Sequence, residues 1–197
     1  MRQGAALAAV GVLIVTAGAA ARAVYEARPP LARTGGFGEL TCGQCHFGGP
    51  ERPSGTVSLG GVPERYRPGH AYALELTLAD TSARVGGFQI AARVSEGPNA
   101  GRQAGTLCSI DPRVVVATDS STGVQYASHS IAAPADSLRW RLTWRAPMGD
   151  VGAVVFHIAA NAADDDDSPL GDAILTSTVV TQPKERARAS QSTTPGC

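Results

Sequence analysis

Aromatic side chains are scarce in this chain of 197 residues: they make up 5% of it, with two tryptophans among them. Methionine occurs twice, and lysine only at Lys184. An excess of one charge is also missing, with 17 basic against 17 acidic residues, so the chain lacks the electrostatic footprint of a nucleic-acid binder. After the first two dozen residues no apolar run reaches the length of a bilayer span, and no membrane span is expected in the mature chain. There is no long apolar period of 3.6 residues, which excludes a helical bundle. Gly-x-Ser-x-Gly, phosphate-loop and His-Glu-x-x-His patterns are absent. Ser128-His129-Ser130 sets hydroxyls beside an imidazole, but neighbours on a strand point to opposite faces and make no nucleophile–base pair. No residue is assigned a catalytic role. Four cysteines in so long a chain make no disulfide scaffold, so the core must come from apolar packing.

What is present begins with a targeting segment. Arg2 supplies a positive start, Ala5 to Ala21 is apolar or small except for Thr16, and Ala21-Arg22-Ala23 fits a small-x-small cleavage site. Residues 1–23 therefore read as a signal peptide, with retention as an anchor the alternative. The rest of the chain carries 15 basic and 17 acidic residues. Export permits disulfides; the pairings available are Cys42 with Cys45 and Cys108 with Cys197.

Cys42-Gly43-Gln44-Cys45-His46 is the pattern to which c-type haem is attached. Each thiol adds to one haem vinyl group, and the adjacent imidazole reaches the iron. The competing readings are a Cys42–Cys45 disulfide with His46 solvated, half of a zinc site, or a redox-active disulfide. The zinc site lacks a second Cys/His pair at ligand spacing, and the redox disulfide lacks its βαβ context. Cys42, Cys45 and His46 are thus the candidate haem-binding residues, with His46 as an iron ligand. For the sixth iron position the candidate is His129, which on a strand would share a face with Ala127 and Ile131. His157, His70 and Met148 are weaker alternatives. Bis-histidine ligation suits electron transfer, whereas an open site would admit small molecules. A Gly/Pro-rich surround would leave the haem partly exposed, lowering its reduction potential.

The run Asp164 to Asp167, near Asn161 and Asp172, offers oxygen ligands for Ca²⁺ but lacks the spaced register of a calcium loop, and reads better as a solvated acidic loop.

Residues 24–55 are rich in glycine and proline and read as a segment without regular structure. From there the chain alternates as β-strands do. Leu138, Trp140, Leu142 and Trp144 alternate with Arg139, Arg141, Thr143 and Arg145, which places one apolar face on a core and one arginine face in water. Further strands are expected over 72–78, 88–94, 154–158 and 174–181, with weaker ones at 56–59, 114–116 and 126–131. About eight short strands make an antiparallel β-sandwich over 56–182. The polar tail 183–197 is expected to be disordered.

Several segments in order carry a family resemblance: Thr34 to His46, Val62-Pro63 with Tyr66-Arg67-Pro68-Gly69, Gly87 to Ala92, Tyr126 to His129, Trp144 to Pro147, Phe156 to Ala162, and Gly171-Asp172. Together they resemble the bacterial choice-of-anchor V domain proteins, which are related to the Reeler (reelin-type) β-sandwich. The resemblance spans roughly residues 33–180. It implies a Reeler-like fold in an extracytoplasmic protein, often preceded by a Cys-x-x-Cys-His segment, without a defined activity. Asp164 to Asp167 stand where the family more often has Gly and Asn. The C-terminal sorting signal, apolar helix or lipobox of an anchored protein is not seen, which favours a soluble periplasmic or secreted protein.

The expectation is an exported monohaem c-type cytochrome-like protein working in electron transfer with a redox partner protein. The alternative is a non-redox module of the cell envelope recognising protein or glycan. A third reading is a haem-dependent enzyme or gas sensor with an open iron site.

Overall fold

The computed structural model describes residues 28–51 and 53–184. The expected signal peptide and most of the expected disordered tail lie outside the described residues. Two β-sheets pack face to face. The smaller has the order β1 (Thr56–Gly60), β3 (Ala71–Ala79), β9 (Arg139–Arg145) and β5 (Thr106–Ser109). The larger runs β2 (Arg65–Tyr66), β11 (Ala173–Pro183), β10 (Val154–Ala163), β4 (Val85–Val94), β7 (Gln125–His129) and β6 (Val114–Thr118), with β8 (Ala133–Pro134) beside β4. Pairing is antiparallel except for the two-residue contact of β2 with β11. The architecture is all-β. The eight expected strands are present, and three short ones, β2, β5 and β8, join them. Each of these three has two to four residues, too few for a period to register.

The alternating pattern makes the core. Trp140, Leu142 and Trp144 of β9 are fully buried, while Arg139, Arg141 and Arg145 are exposed. Opposite them lie Phe88 and Ile90 of β4 and Phe156 and Ile158 of β10. Aromatic edges and faces lock the layer: Trp144 meets Phe156 edge-on at 5.0 Å, and Phe88 lies 4.8 Å from Trp140. Both tryptophans, Tyr66, Phe88 and Phe156 are fully buried in this core, whereas Phe37 and Phe47 are about half exposed.

β4 and β10 are buried on both faces, unlike β9. Their second cover is the segment ahead of β1. It is irregular but held in place across the outer face of the larger sheet. Gln89 donates to the carbonyl of Pro30 (2.8 Å) and accepts from the backbone N–H of Arg33 (2.6 Å). Buried Arg93 pairs with Glu39 and donates to the Tyr126 hydroxyl, while Thr34 donates to the other Glu39 oxygen at 2.6 Å. Phe37 closes over this cluster, 5.5 Å from the Arg93 guanidinium and edge-on to His157. The Gly/Pro-rich composition denotes a strap that follows the sheet surface. Among the described residues no helix is long and apolar enough to cross a membrane.

Candidate functional site

The strap ends in the cysteine motif. Thr41 caps it by accepting from the Gly43 N–H (3.2 Å), and the Cys42 carbonyl accepts from the N–H groups of Cys45 (3.1 Å) and His46 (3.0 Å). The motif is thus one helical turn, which turns residues 42, 45 and 46 toward a common side. Beyond it Phe47 is zipped to the β10–β11 loop: its N–H donates to Pro169 and its carbonyl accepts from Gly171, both at 2.9 Å. Gly49 sits so close that a Cβ there would lie 1.9 Å from the Asp172 carbonyl oxygen.

His46 Nδ1 lies 2.6 Å from Asp172 Oδ2. A carboxylate only accepts, so this contact calls for the proton on Nδ1, which in a neutral ring leaves the lone pair on Nε2; the Asn161 Nδ2 also lies 3.1 Å from His46 Nδ1. Asn161 donates to the same Asp172 oxygen at 3.1 Å. The Asp172 side chain is 1% exposed and that of His46 37%. Buried Oδ1 atoms of both Asp172 and Asn161 have no protein partner.

Beside this turn opens a cavity of about 840 Å³. Cys42, Cys45 and His46 line it, and so does His129, far away in sequence. His129 leaves the end of β7 and lays its ring against Gly87: a Cβ on Gly87 would fall 2.3 Å from His129 Cε1. Gly87 alternates with Gln89 on the strap side of β4, so the imidazole reaches the outer face, while Ala127 two residues earlier is in the core. Its Nδ1 sits between the N–H (2.9 Å) and the carbonyl (3.1 Å) of Phe88. Burial holds the His129 pKa below the usual imidazole value, and nearby His46 acts in the same direction. Burial likewise pushes the Cys42 thiol up to about 11, which keeps it protonated at neutral pH.

The structure brings together Cys42, Cys45, His46 and His129. Cys42 and Cys45 are free thiols here, not a disulfide. Cys108 is an exposed free thiol, and Cys197 lies outside the described residues. The other candidates lie elsewhere. His157 is under the strap against Phe37, His70 stacks edge-on to Tyr72 (4.9 Å), and Met148 is 80% exposed. Asp165 to Asp167 reach the cavity rim, but Asp164 and Asp166 cap backbone N–H groups of their own loop. Among the described residues no three His, Cys, Asp or Glu side chains gather as a metal-holding group. Sequence reasoning missed the pairing of Asp172 with His46, the place of Asn161, and Arg33 on the cavity wall. The Gly86-Gly87 pair inside a strand was the legible signal, since strand glycine marks a close approach.

No family model matches the chain and no curated protein matches it, so the choice-of-anchor V resemblance rests on the residues that suggested it. In structure the chain is similar to the Reelin-N domain of F-spondin, with a TM-score of 0.48 and 20% identity over 70% of this chain and 94% of that one. It is similar to the human F-spondin reeler domain, with a TM-score of 0.48 and 21% identity over 70% of this chain and 95% of that one. A cohesin module from a Clostridium perfringens family 33 glycoside hydrolase follows, with a TM-score of 0.45 and 13% identity over 68% and 100% of the two chains.

Proposed function

We propose that the cavity takes one haem, attached through Cys42 and Cys45, and that the protein is exported and carries electrons for a redox partner protein. One observation carries this reading: a single cavity is lined by both thiols, by an imidazole whose Nδ1 is held by a carboxylate, and by a second imidazole from a distant strand. Its volume of about 840 Å³ is within the usual range of cofactor sites. Gly87 leaves the floor without a side chain beside His129. The Cys42 and Cys45 sulfurs would form the thioethers, and His46 and His129 would hold the iron. Among the described residues Arg33 is the only arginine or lysine lining the cavity, and its buried Nε lacks a protein partner, which suits a haem propionate. When bound, the haem would take up and return one electron at its iron. Residues 1–23 accord with this, since such haem is attached outside the cytoplasm.

A second reading needs no iron: a non-redox module of the cell envelope that recognises protein or glycan. It is favoured by the exposed apolar residues at this end of the fold, where Ile131 lines the cavity and Phe47 and Leu170 bridge beside it, each more than half exposed.

Production of the full chain with haem-attachment machinery separates the two. The expected result is a denatured band that stains for haem, an intact mass raised by one haem, and loss of both when Cys42 and Cys45 become serine. A bare-chain mass under those conditions removes the cytochrome reading and leaves the binding module.

A further inference from the structure

We infer that Asp172 is a positioning residue for His46: it holds the ring with the proton on Nδ1 and directs the Nε2 lone pair to the cavity. The inference rests on the haem reading for its consequence, but its geometry stands in the protein alone. The 2.6 Å contact between His46 Nδ1 and Asp172 Oδ2 is a short charge-assisted hydrogen bond. The carboxylate is 1% exposed, so water does not compete for it. Two further contacts fix its place: Asn161 Nδ2 donates to the same oxygen at 3.1 Å while also lying 3.1 Å from His46 Nδ1, and Gly49 brings the motif's loop against the Asp172 backbone.

A buried carboxylate with one oxygen left unpartnered is a poor way to build stability. An apolar side chain would tie a loop to a sheet at less desolvation cost. The carboxylate does what such a side chain cannot: it selects the histidine tautomer and makes the imidazole a stronger donor. Metal-ligating histidines commonly hold their second ring nitrogen in this way. Neutral histidine without such a partner would leave the tautomer to solvent and the ring free to turn. The negative charge next to the ring also favours the more positive, oxidised state of an iron bound at Nε2.

Two measurements test this on the full chain. The first is made without haem: nitrogen NMR at pH 8 on the unloaded protein reads the His46 tautomer. The Nδ1–H form is expected to be the major one in the natural chain and the minor one in Asp172→Asn. A major Nε2–H form in the natural chain overturns the inference, whatever the fate of the variant. The second uses the haem-loaded protein, in which Asp172→Asn is expected to shift the reduction potential upward with the haem still covalently attached. An unchanged potential with attached haem also overturns it and leaves the haem reading intact. Failure of the natural chain to acquire haem removes the haem reading, while the tautomer measurement still decides the role of Asp172.

Discussion

The two outer faces of the sandwich differ more than the two sheets do. The outer face of the smaller sheet is open: Arg139, Arg141 and Arg145 stand in water, and Arg141 faces Glu75 across the strand pair. The outer face of the larger sheet is covered by the strap, and there Gln89, Arg93 and Ser128 are buried although polar. An open face needs only alternation, because water satisfies whatever points outward. A covered face must satisfy each polar group with a protein partner, since an unpartnered one is costly. The Glu39–Arg93–Tyr126 cluster and the Gln89 bonds meet most of that requirement, with Arg93 Nε and His157 Nδ1 left without a partner, and the cavity lies where the cover gives way to the cysteine turn.

Breaking the cover is the most severe test of that contrast. Glu39→Ala strands Arg93 beneath the strap, and removal of one partner of a buried pair costs about 3–5 kcal/mol. Urea unfolding should show that loss, and hydrogen exchange should rise over residues 31–47 before the sandwich opens. Arg141→Ala on the open face should change stability by less than about 0.5 kcal/mol. Equal effects of the two would remove the distinction between the faces.

Gly87→Ala probes the cavity edge. The new methyl falls on the His129 ring, and overpacking of this kind costs about 1–3 kcal/mol. The histidine ring signals of His129 should move in NMR spectra while those of His70, on the far side chain pair with Tyr72, stay in place.

The smallest effect is a pH dependence. Burial, and then the charge of Arg93, hold the His157 pKa below the ordinary value of 6.5. Below about that pH the unfolded chain binds a proton that the folded chain resists, so stability is in place above it and falls as the medium becomes more acidic. The urea midpoint should fall between pH 7.5 and pH 5.5, and fall less in His157→Gln. Part of the loss should persist in that variant, because His129 is depressed in the same direction. An identical fall in both chains would mean that His157 is not what the strap shelters.

How far the sequence reached depends on the kind of signal. The strand alternation in β9 and β3 was readable because one wet face and one dry face leave a period of two. β4 and β10 gave their apolar residues but not their cover, since polar Gln89 and Arg93 on the outer face of β4 read the same whether water or a protein layer satisfies them. β2 and β5 were too short to register. The cysteine motif was legible from spacing alone, though not its helical turn, and His129 from its place in an ordered set of segments. Asp172 and Asn161 carried no local mark as partners of His46, because hydrogen bonding across more than a hundred residues has no sequence period.

The sequence by itself determined the β character, the division of apolar and arginine faces, and the presence of a Cys-x-x-Cys-His motif, because each is written in residues a few positions apart. The tertiary structure alone decided that the Gly/Pro-rich strap lies on the larger sheet, that His129 meets the cysteine turn in one cavity, and that Asp172 holds His46. Those arrangements depend on which distant strands pair and which face is covered, and only chain closure in three dimensions sets that.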